Sequence, residues 1–274
     1  MDYIKVTYPK PDDGVDTEIL IALLAEAGFE SFEETAAEVL AYIPEKDFDK
    51  ESLPAGWPQP EIGLIKDQNW NAVWESNYDP VVVAGKVHIR APFHESRSEV
   101  DYEIVINPKM AFGTAHHETT ALMIEYLLEK HDSLKGRSVL DMGCGTGVLA
   151  ILAAMEGAAE VTAVDNDTWS VESTRENIQV NATPNVNVVL GDASVLPYEE
   201  TFDIILANIN KNILLNDMPV YAKALRKGGI ILFSGFYQDD LKDIRDKAEG
   251  LGMKFVDFKT KNSWTAAQFV KISD

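Results

Sequence analysis

The stretch Val139-Leu140-Asp141-Met142-Gly143-Cys144-Gly145-Thr146-Gly147 constrains this chain more than any other. An apolar run enters a loop with alternating glycines, and a helix-like segment from Val148 to Met155 follows, so the stretch reads as strand, tight turn, helix. Glycine has no Cβ; it tolerates positive φ and lets backbone amides come close to a ligand. An α/β sheet builds a nucleotide site at the carboxyl end of a strand in this way. Taken alone, the turn fits a plain strand-to-helix corner equally well, and its neighbours must decide.

The first neighbour is Val161-Thr162-Ala163-Val164-Asp165, a buried-strand pattern ending in a carboxylate about twenty residues past the glycines. An acid at that spacing can accept hydrogen bonds from both ribose hydroxyls of a nucleotide. The competing reading is a helix N-cap, since Asn166, Asp167 and Thr168 also suit a helix start. The loop speaks against a dinucleotide. That fingerprint places two residues between its last two glycines, to aim a helix N-terminus at a pyrophosphate. Here Gly143, Gly145 and Gly147 alternate and Asp141 stands just before them. A carboxylate there repels pyrophosphate and favours a cation. S-adenosylmethionine, with a sulfonium and an α-ammonium but no phosphate, fits that bias.

Together, Asp141 to Gly147, Asp165, Gly191-Asp192-Ala193 and Ala207-Asn208-Ile209 resemble the motifs of class I S-adenosylmethionine-dependent methyltransferases. Upstream, Met110-Ala111-Phe112-Gly113-Thr114-Ala115-His116-His117-Glu118-Thr119-Thr120 resembles the AFGTGxHxTT signature of the PrmA-type ribosomal protein methyltransferases. That family modifies amino groups of the large-subunit ribosomal protein L-eleven. The resemblance covers most of the chain beyond about Trp70 and departs at Ala115, where the family pattern has glycine.

The resemblance implies an α/β fold: a Rossmann-like, seven-stranded class I methyltransferase domain with a reversed last strand, preceded by a small N-terminal α+β domain that recognises the substrate. The cofactor it implies is S-adenosyl-L-methionine, and the activity is methyl transfer to lysine and/or N-terminal amino groups. Phe112, Gly113 and Thr120 would cover the methyl-donor end of the cofactor. Asp141, Gly143, Gly145 and Asp165 would hold its body, and Asp192 would meet the adenine amino group, although an ordinary surface turn suits Asp192 nearly as well. Asn208 would face the transferable methyl as the catalytic residue, because an amide can hydrogen-bond both a cofactor and an amine. Asn210 is left open between that role and none. The expected chemistry is direct displacement by a deprotonated amine, without covalent intermediate or metal.

Length and composition agree with a large domain plus a small one: 274 residues, 46% hydrophobic and 25% charged. No apolar run is long enough to span a bilayer, and the start Met1-Asp2-Tyr3-Ile4-Lys5 lacks a signal-peptide pattern, so no membrane partner and a cytoplasmic location are expected. Cys144, the single cysteine, reads as a space-filling residue in the loop, consistent with a reducing compartment. The net charge of -21 disfavours direct binding of nucleic acid, whose phosphates need lysine and arginine. It favours a basic protein partner such as a ribosomal protein, although acidic composition also serves solubility alone. A monomer is expected. His116 and His117 invite a metal, but adjacent histidines diverge and no further ligand completes a set, so none is expected.

In chain order, Tyr3 to Tyr8 alternates as a strand and Val15 to Ala27 has helical spacing that Gly28 stops. Ser31 to Glu34 and Val39 to Ile43 read as a hairpin, and Ile62 to Lys66 as a short strand. This order suggests a truncated ferredoxin-like split βαβ unit. Pro54, Gly56, Pro58 and Pro60 leave room for only a short second helix. The small domain is placed at 1–66, a linker holding Trp70 and Trp74 at 67–79, and the methyltransferase domain at 80–274. Strands are expected at Val81 to Val83, Val87 to Arg90 and Tyr102 to Ile106. A helix follows over Thr119 to Lys130, and an alternation of strands and helices runs from the glycine loop to a final hairpin.

Rival readings are a methyltransferase for a small molecule or another protein, a non-catalytic module that binds ribosomal proteins, and a nicotinamide dehydrogenase. Nucleic-acid N-methyltransferases with an asparagine after the fourth strand usually follow it with prolines that stack the target base. Here Ile209 and Asn210 follow Asn208.

Overall fold

The structure is a computed structural model that describes residues 2–11, 14–35, 37–65, 79–107, 117–196 and 199–272. The chain divides into two compact units, Met1–Asn77 and Tyr78–Asp274.

The first unit holds β1 (Tyr3–Pro9), α1 (Gly14–Glu26), β2 (Ser31–Glu34), β3 (Glu38–Pro44) and β4 (Glu61–Ile65). Its sheet runs β2-β3-β1-β4 with every neighbouring pair antiparallel, so β3 lies between the two strands that α1 connects. That is a split βαβ unit. On β1, Ile4, Val6 and Tyr8 alternate into a core with Leu20, Leu24 and Phe29. Where a second long helix would stand, there are two one-turn 3-10 segments, Glu45–Asp47 and Lys50–Ser52. The consequence is visible on β4. Ile62 and Leu64 lie opposite Val6 and Ile4, on the core face of the sheet, yet remain 37% and 48% exposed.

The second unit begins with a three-stranded sheet of β5 (Val81–Val83), β6 (Val87–Arg90) and β7 (Tyr102–Val105). Next come α2 (Glu118–Glu129) and a single turn, α3 (His131–Leu134). The main alternation is β8 (Ser138–Met142), α4 (Val148–Met155), β9 (Glu160–Asp165), α5 (Thr168–Val180), β10 (Val186–Leu190), β11 (Phe202–Asn208), α6 (Lys211–Ala224), β12 (Leu225–Tyr237), α7 (Leu241–Glu249), β13 (Met253–Lys261) and β14 (Trp264–Lys271). These strands form one seven-stranded sheet in the order β10-β9-β8-β11-β12-β14-β13. All neighbours are parallel except β14, which is antiparallel to both β12 and β13. The Rossmann-like sheet with a reversed last strand is therefore present.

Strand order places the site. From β8 the chain winds outward through β9 to β10, then returns to β11 on the other side of β8 and winds the opposite way. Ligands bind at such a reversal, beyond the carboxyl ends of the strands. Those ends are Met142 on β8 and Asn208 on β11. The central strands are buried on both faces, as a parallel sheet requires. Val139, Ile204 and Leu206 face one core with α2 and α4; Leu140, Ile205 and Ala207 face the other with α6 and α7.

One strand departs from expectation. The pattern predicts β12 over Ile230 to Ser234, and it runs from Leu225 to Tyr237. Gly228-Gly229 lies inside the strand; a Cβ at Gly229 would meet the Arg226 and Asp203 carbonyl oxygens at 2.7 and 2.9 Å, so glycine there serves close strand packing. Beyond Ser234 the strand continues through a register shift at Gly235.

Candidate active site

The glycine loop is pinned from every side. The N–H groups of Gly143 and Cys144 both donate to the Val164 carbonyl, at 2.8 and 3.1 Å, and Gly147 N–H donates to Cys144 O. Gly143, Gly145 and Gly147 have φ of 72°, 56° and 80°, a region that L side chains rarely adopt. At Gly143 a Cβ would also come 2.3 Å from Ile209 Cγ2. The loop thus lies directly against the residue that follows Asn208.

Two side chains of α5 hold the loop from behind. Thr174 Oγ1 donates to Gly145 O at 2.7 Å, and Asn177 Nδ2 donates to Thr146 O at 2.9 Å. Asn177 Oδ1 also accepts from Asn107 N–H at 2.9 Å, and Asn181 exchanges two hydrogen bonds with the backbone of Val105 on β7. The sequence reading misses Thr174 and Asn177. A signal exists, because Ser170, Ser173, Thr174 and Asn177 recur at helical spacing; the stripe reads as a solvated face, yet all four are buried.

Three acids sit at the strand ends. Asp165 accepts from Gly145 N–H at 2.9 Å through Oδ2 and from Asp167 N–H at 3.0 Å through Oδ1. The N-cap of α5 is Asp167, which accepts from Ser170 N–H, so the capping alternative does not apply to Asp165. Asp192 lies beside it, since Gly191 N–H donates to Asp165 O at 2.8 Å; its carboxylate accepts from Ser194 N–H and caps a one-turn 3-10 segment, Ala193–Val195. Asp141 is 1% exposed. Its Oδ2 accepts from Ala150 N–H at 3.1 Å, capping the first turn of α4 in place of Gly147, which has no side chain to do so. Oδ1 is buried without a hydrogen-bond partner among the described residues. Burial pushes this carboxyl up to about 7; the Ala150 N–H pulls it down, and the negative Asp165 adds to the rise.

Across the cleft, Asn208 Nδ2 donates to Thr120 Oγ1 at 3.2 Å, while Asn208 Oδ1 is buried with no partner among the described residues. Thr120 is 1% exposed on the first turn of α2. His117 is the N-cap of that helix, its Nδ1 accepting from Thr119 N–H. Asn210 caps α6 by accepting from Ile213 N–H at 3.1 Å. Cys144 is buried beside Thr174 Oγ1, and burial pushes its thiol well above the usual range. Among the described residues no cluster of histidine, cysteine and acids could hold a metal ion. Phe112, Gly113, His116, Trp70 and Trp74 lie outside the described residues.

A seven-stranded sheet with a reversed last strand, an alternating glycine loop at its switch point, and strand-end Asp165, Asp192 and Asn208 define a class I methyltransferase. Residues 13–272 match the family model described as ribosomal protein L11 methyltransferase (PrmA), and the chain belongs to that family. A ribosomal protein L11 methyltransferase of Phocaeicola vulgatus is 46% identical, over 98% of this chain and 99% of that protein. One from Porphyromonas gingivalis is 45% identical, over 92% and 90%. The crystal structure of the ribosomal protein L11 methylase from Lactobacillus delbrueckii subsp. bulgaricus has the same fold, with a TM-score of 0.65 at 24% identity over 72% of this chain and 100% of that one.

Proposed function

We propose that this chain transfers methyl groups from S-adenosylmethionine to lysine and/or N-terminal amino groups of ribosomal protein L11. The observation that carries the reading is Asn208. It joins the fourth-strand motif to Thr120 of the upstream signature, and its buried Oδ1 has no hydrogen-bond partner among the described residues. A buried acceptor without a partner costs about 1–3 kcal/mol, so a ligand N–H or C–H there is expected to bind with that cost removed.

The residues fit S-adenosylmethionine. Gly143 and Gly145 let the backbone approach it, and Asp165, with lone pairs beyond its two backbone bonds, accepts from the ribose hydroxyls. Asp192, next to Asp165, accepts from the adenine amino group. Asp141 Oδ1, buried and unpaired, suits the cationic methionine end. Phe112 and Gly113 belong to the same set by their place in the signature. The cofactor, when bound, supplies a methyl group already activated by a sulfonium. The protein's own work is to bring the amine in line and strip it of water. Lysine must lose its proton before attack, and Asn208 orients the neutral amine.

The small N-terminal unit is assigned to substrate recognition, with the domain limits 1–66 and 80–274 expected from sequence. A net charge of -21 supports steering of a basic ribosomal protein and argues against nucleic acid as the partner. A cytoplasmic monomer is expected; no helix among the described residues is long and apolar enough to cross a membrane. The test is incubation with labelled S-adenosylmethionine and ribosomal proteins from a strain lacking the enzyme, then mass spectrometry of the labelled band. Label on another protein, or none, overturns the assignment. Calorimetry with NADH beside S-adenosylmethionine separates the dehydrogenase reading.

A further inference from the structure

The end of β12 is bent over the catalytic edge. Gly235, at φ 94°, lies so close to the loop after Asn208 that a Cβ would stand 2.2 Å from Ile209 O and 2.7 Å from its carbonyl carbon. Ile209 N–H in turn donates to Ser234 O at 3.2 Å. The register shift at this point turns the last residues of the strand, so that Tyr237 pairs with Trp264 at the start of β14. Their rings meet at 4.1 Å with 30° between planes, and Tyr237 is 51% exposed. Trp264 also meets the His117 ring edge-on, with 4.6 Å between ring centroids. His117 caps α2, whose next residues reach Thr120 and, through it, Asn208. Tyr237, Trp264 and His117 therefore form a row of rings from solvent to the N-cap of the helix whose first turn carries Thr120, the partner of Asn208.

Half of the Tyr237 surface is open to solvent at the outer end of this row. The charged groups nearby are of both signs: Asp240 accepts from Tyr237 N–H and is ion-paired with Lys211, and Glu118, held by Asn262, has Lys261 near it. The attraction left for an ammonium on an apolar stem comes from the faces of the aromatic rings, on which its methylenes also pack.

We propose that Tyr237 is a substrate-positioning residue, the outer member of an aromatic lip with Trp264 along which the methyl-accepting lysine side chain reaches Asn208. This rests on the amine-methylating reading above. Tyr237 touches the stem of the lysine and not the reacting nitrogen, so it acts on binding and alignment. The ring does this, not the hydroxyl.

The test combines steady-state kinetics on L11 with a binding measurement that needs no turnover. Tyr237→Ala is expected to raise KM for L11 about tenfold with kcat within about twofold, and Tyr237→Phe to restore both. In parallel, Nα-acetyl-lysine amide is titrated while tryptophan emission is followed. Quenching is expected in the wild type and in Tyr237→Phe, but lost in Tyr237→Ala and Trp264→Phe. An unchanged KM and unchanged quenching in Tyr237→Ala overturn the proposal. So does failure of Tyr237→Phe to rescue, which marks a structural role. Quenching without methylation of L11 sustains the lip and sinks the assigned reaction instead, so the two failures are told apart.

Discussion

The two sides of the cleft are built differently. On the glycine side, backbone groups of Gly143, Cys144, Gly145, Thr146 and Gly147 are each tied to β9, α5 or one another, and the conformation is over-determined. On the asparagine side, the amide of Asn208 has a single hydrogen bond among the described residues, to Thr120, and its Oδ1 has none. The first side is a preset cradle, suited to a ligand that never varies. The second leaves surface and an unused acceptor for a group that arrives with another molecule. Rigidity belongs where the ligand is constant and openness where it is delivered.

The largest test of this contrast falls on the open side. Asn208→Ala removes the lone oriented amide and is expected to lower turnover by about a hundredfold or more in a methyl-transfer assay; full activity would erase the distinction. Gly143→Ala attacks the preset side. A Cβ at φ 72° and 2.3 Å from Ile209 Cγ2 is expected to cost about 1–3 kcal/mol of stability and most of the affinity for S-adenosylmethionine, read by thermal melts and calorimetry. Asn177→Ala leaves the Thr146 carbonyl and the Asn107 N–H without their partner. Stability is expected to fall by about 1–3 kcal/mol together with cofactor affinity, whereas kcat at saturating cofactor holds.

Asp141 sharpens the comparison through pH. Its folded carboxyl titrates near 7, above its unfolded value, so its contribution to stability is full below pH of about 4 and is lost as pH rises through about 7. Binding a cation favours the ionised form, so cofactor binding is expected to release a proton below pH 7 and to strengthen as pH rises. Calorimetry in buffers of different ionisation enthalpy reads this directly. Asp141→Asn keeps an acceptor for Ala150 N–H and is expected to abolish the proton release while retaining the fold. The smallest effect is expected at exposed Asp192, where Ala should weaken cofactor binding by about threefold at most.

What was legible in the sequence follows the same division. The glycine loop and Asp165 could be read because their chemistry is a spacing: strand, alternating glycines, strand, acid. Capping residues were less legible. Asp165 and Asp167 both suit a helix start, and only the hydrogen bond to Ser170 N–H separates them. Asn210 and His117 carry amide or imidazole groups fit for chemistry, yet both spend them on N-caps. Sheet order was not in the periodicity, since alternation gives faces and not neighbours; it came with the family motifs. The inner face of α5 was hidden for another reason. A pattern that equates polar with outside cannot show a helix packed through serine, threonine and asparagine.

Asn177 leaves α5 little freedom in length. One amide spans the Thr146 carbonyl on one hand and the Asn107 N–H on the other, from a fixed turn of the helix. A residue inserted between Thr168 and Asn177 would rotate that amide by about 100° and uncouple both. The phase of this helix is thus dictated by the strand ends it serves as well as by its buried Val171 and Ile178, and engineering that shifts it will show first in ligand affinity.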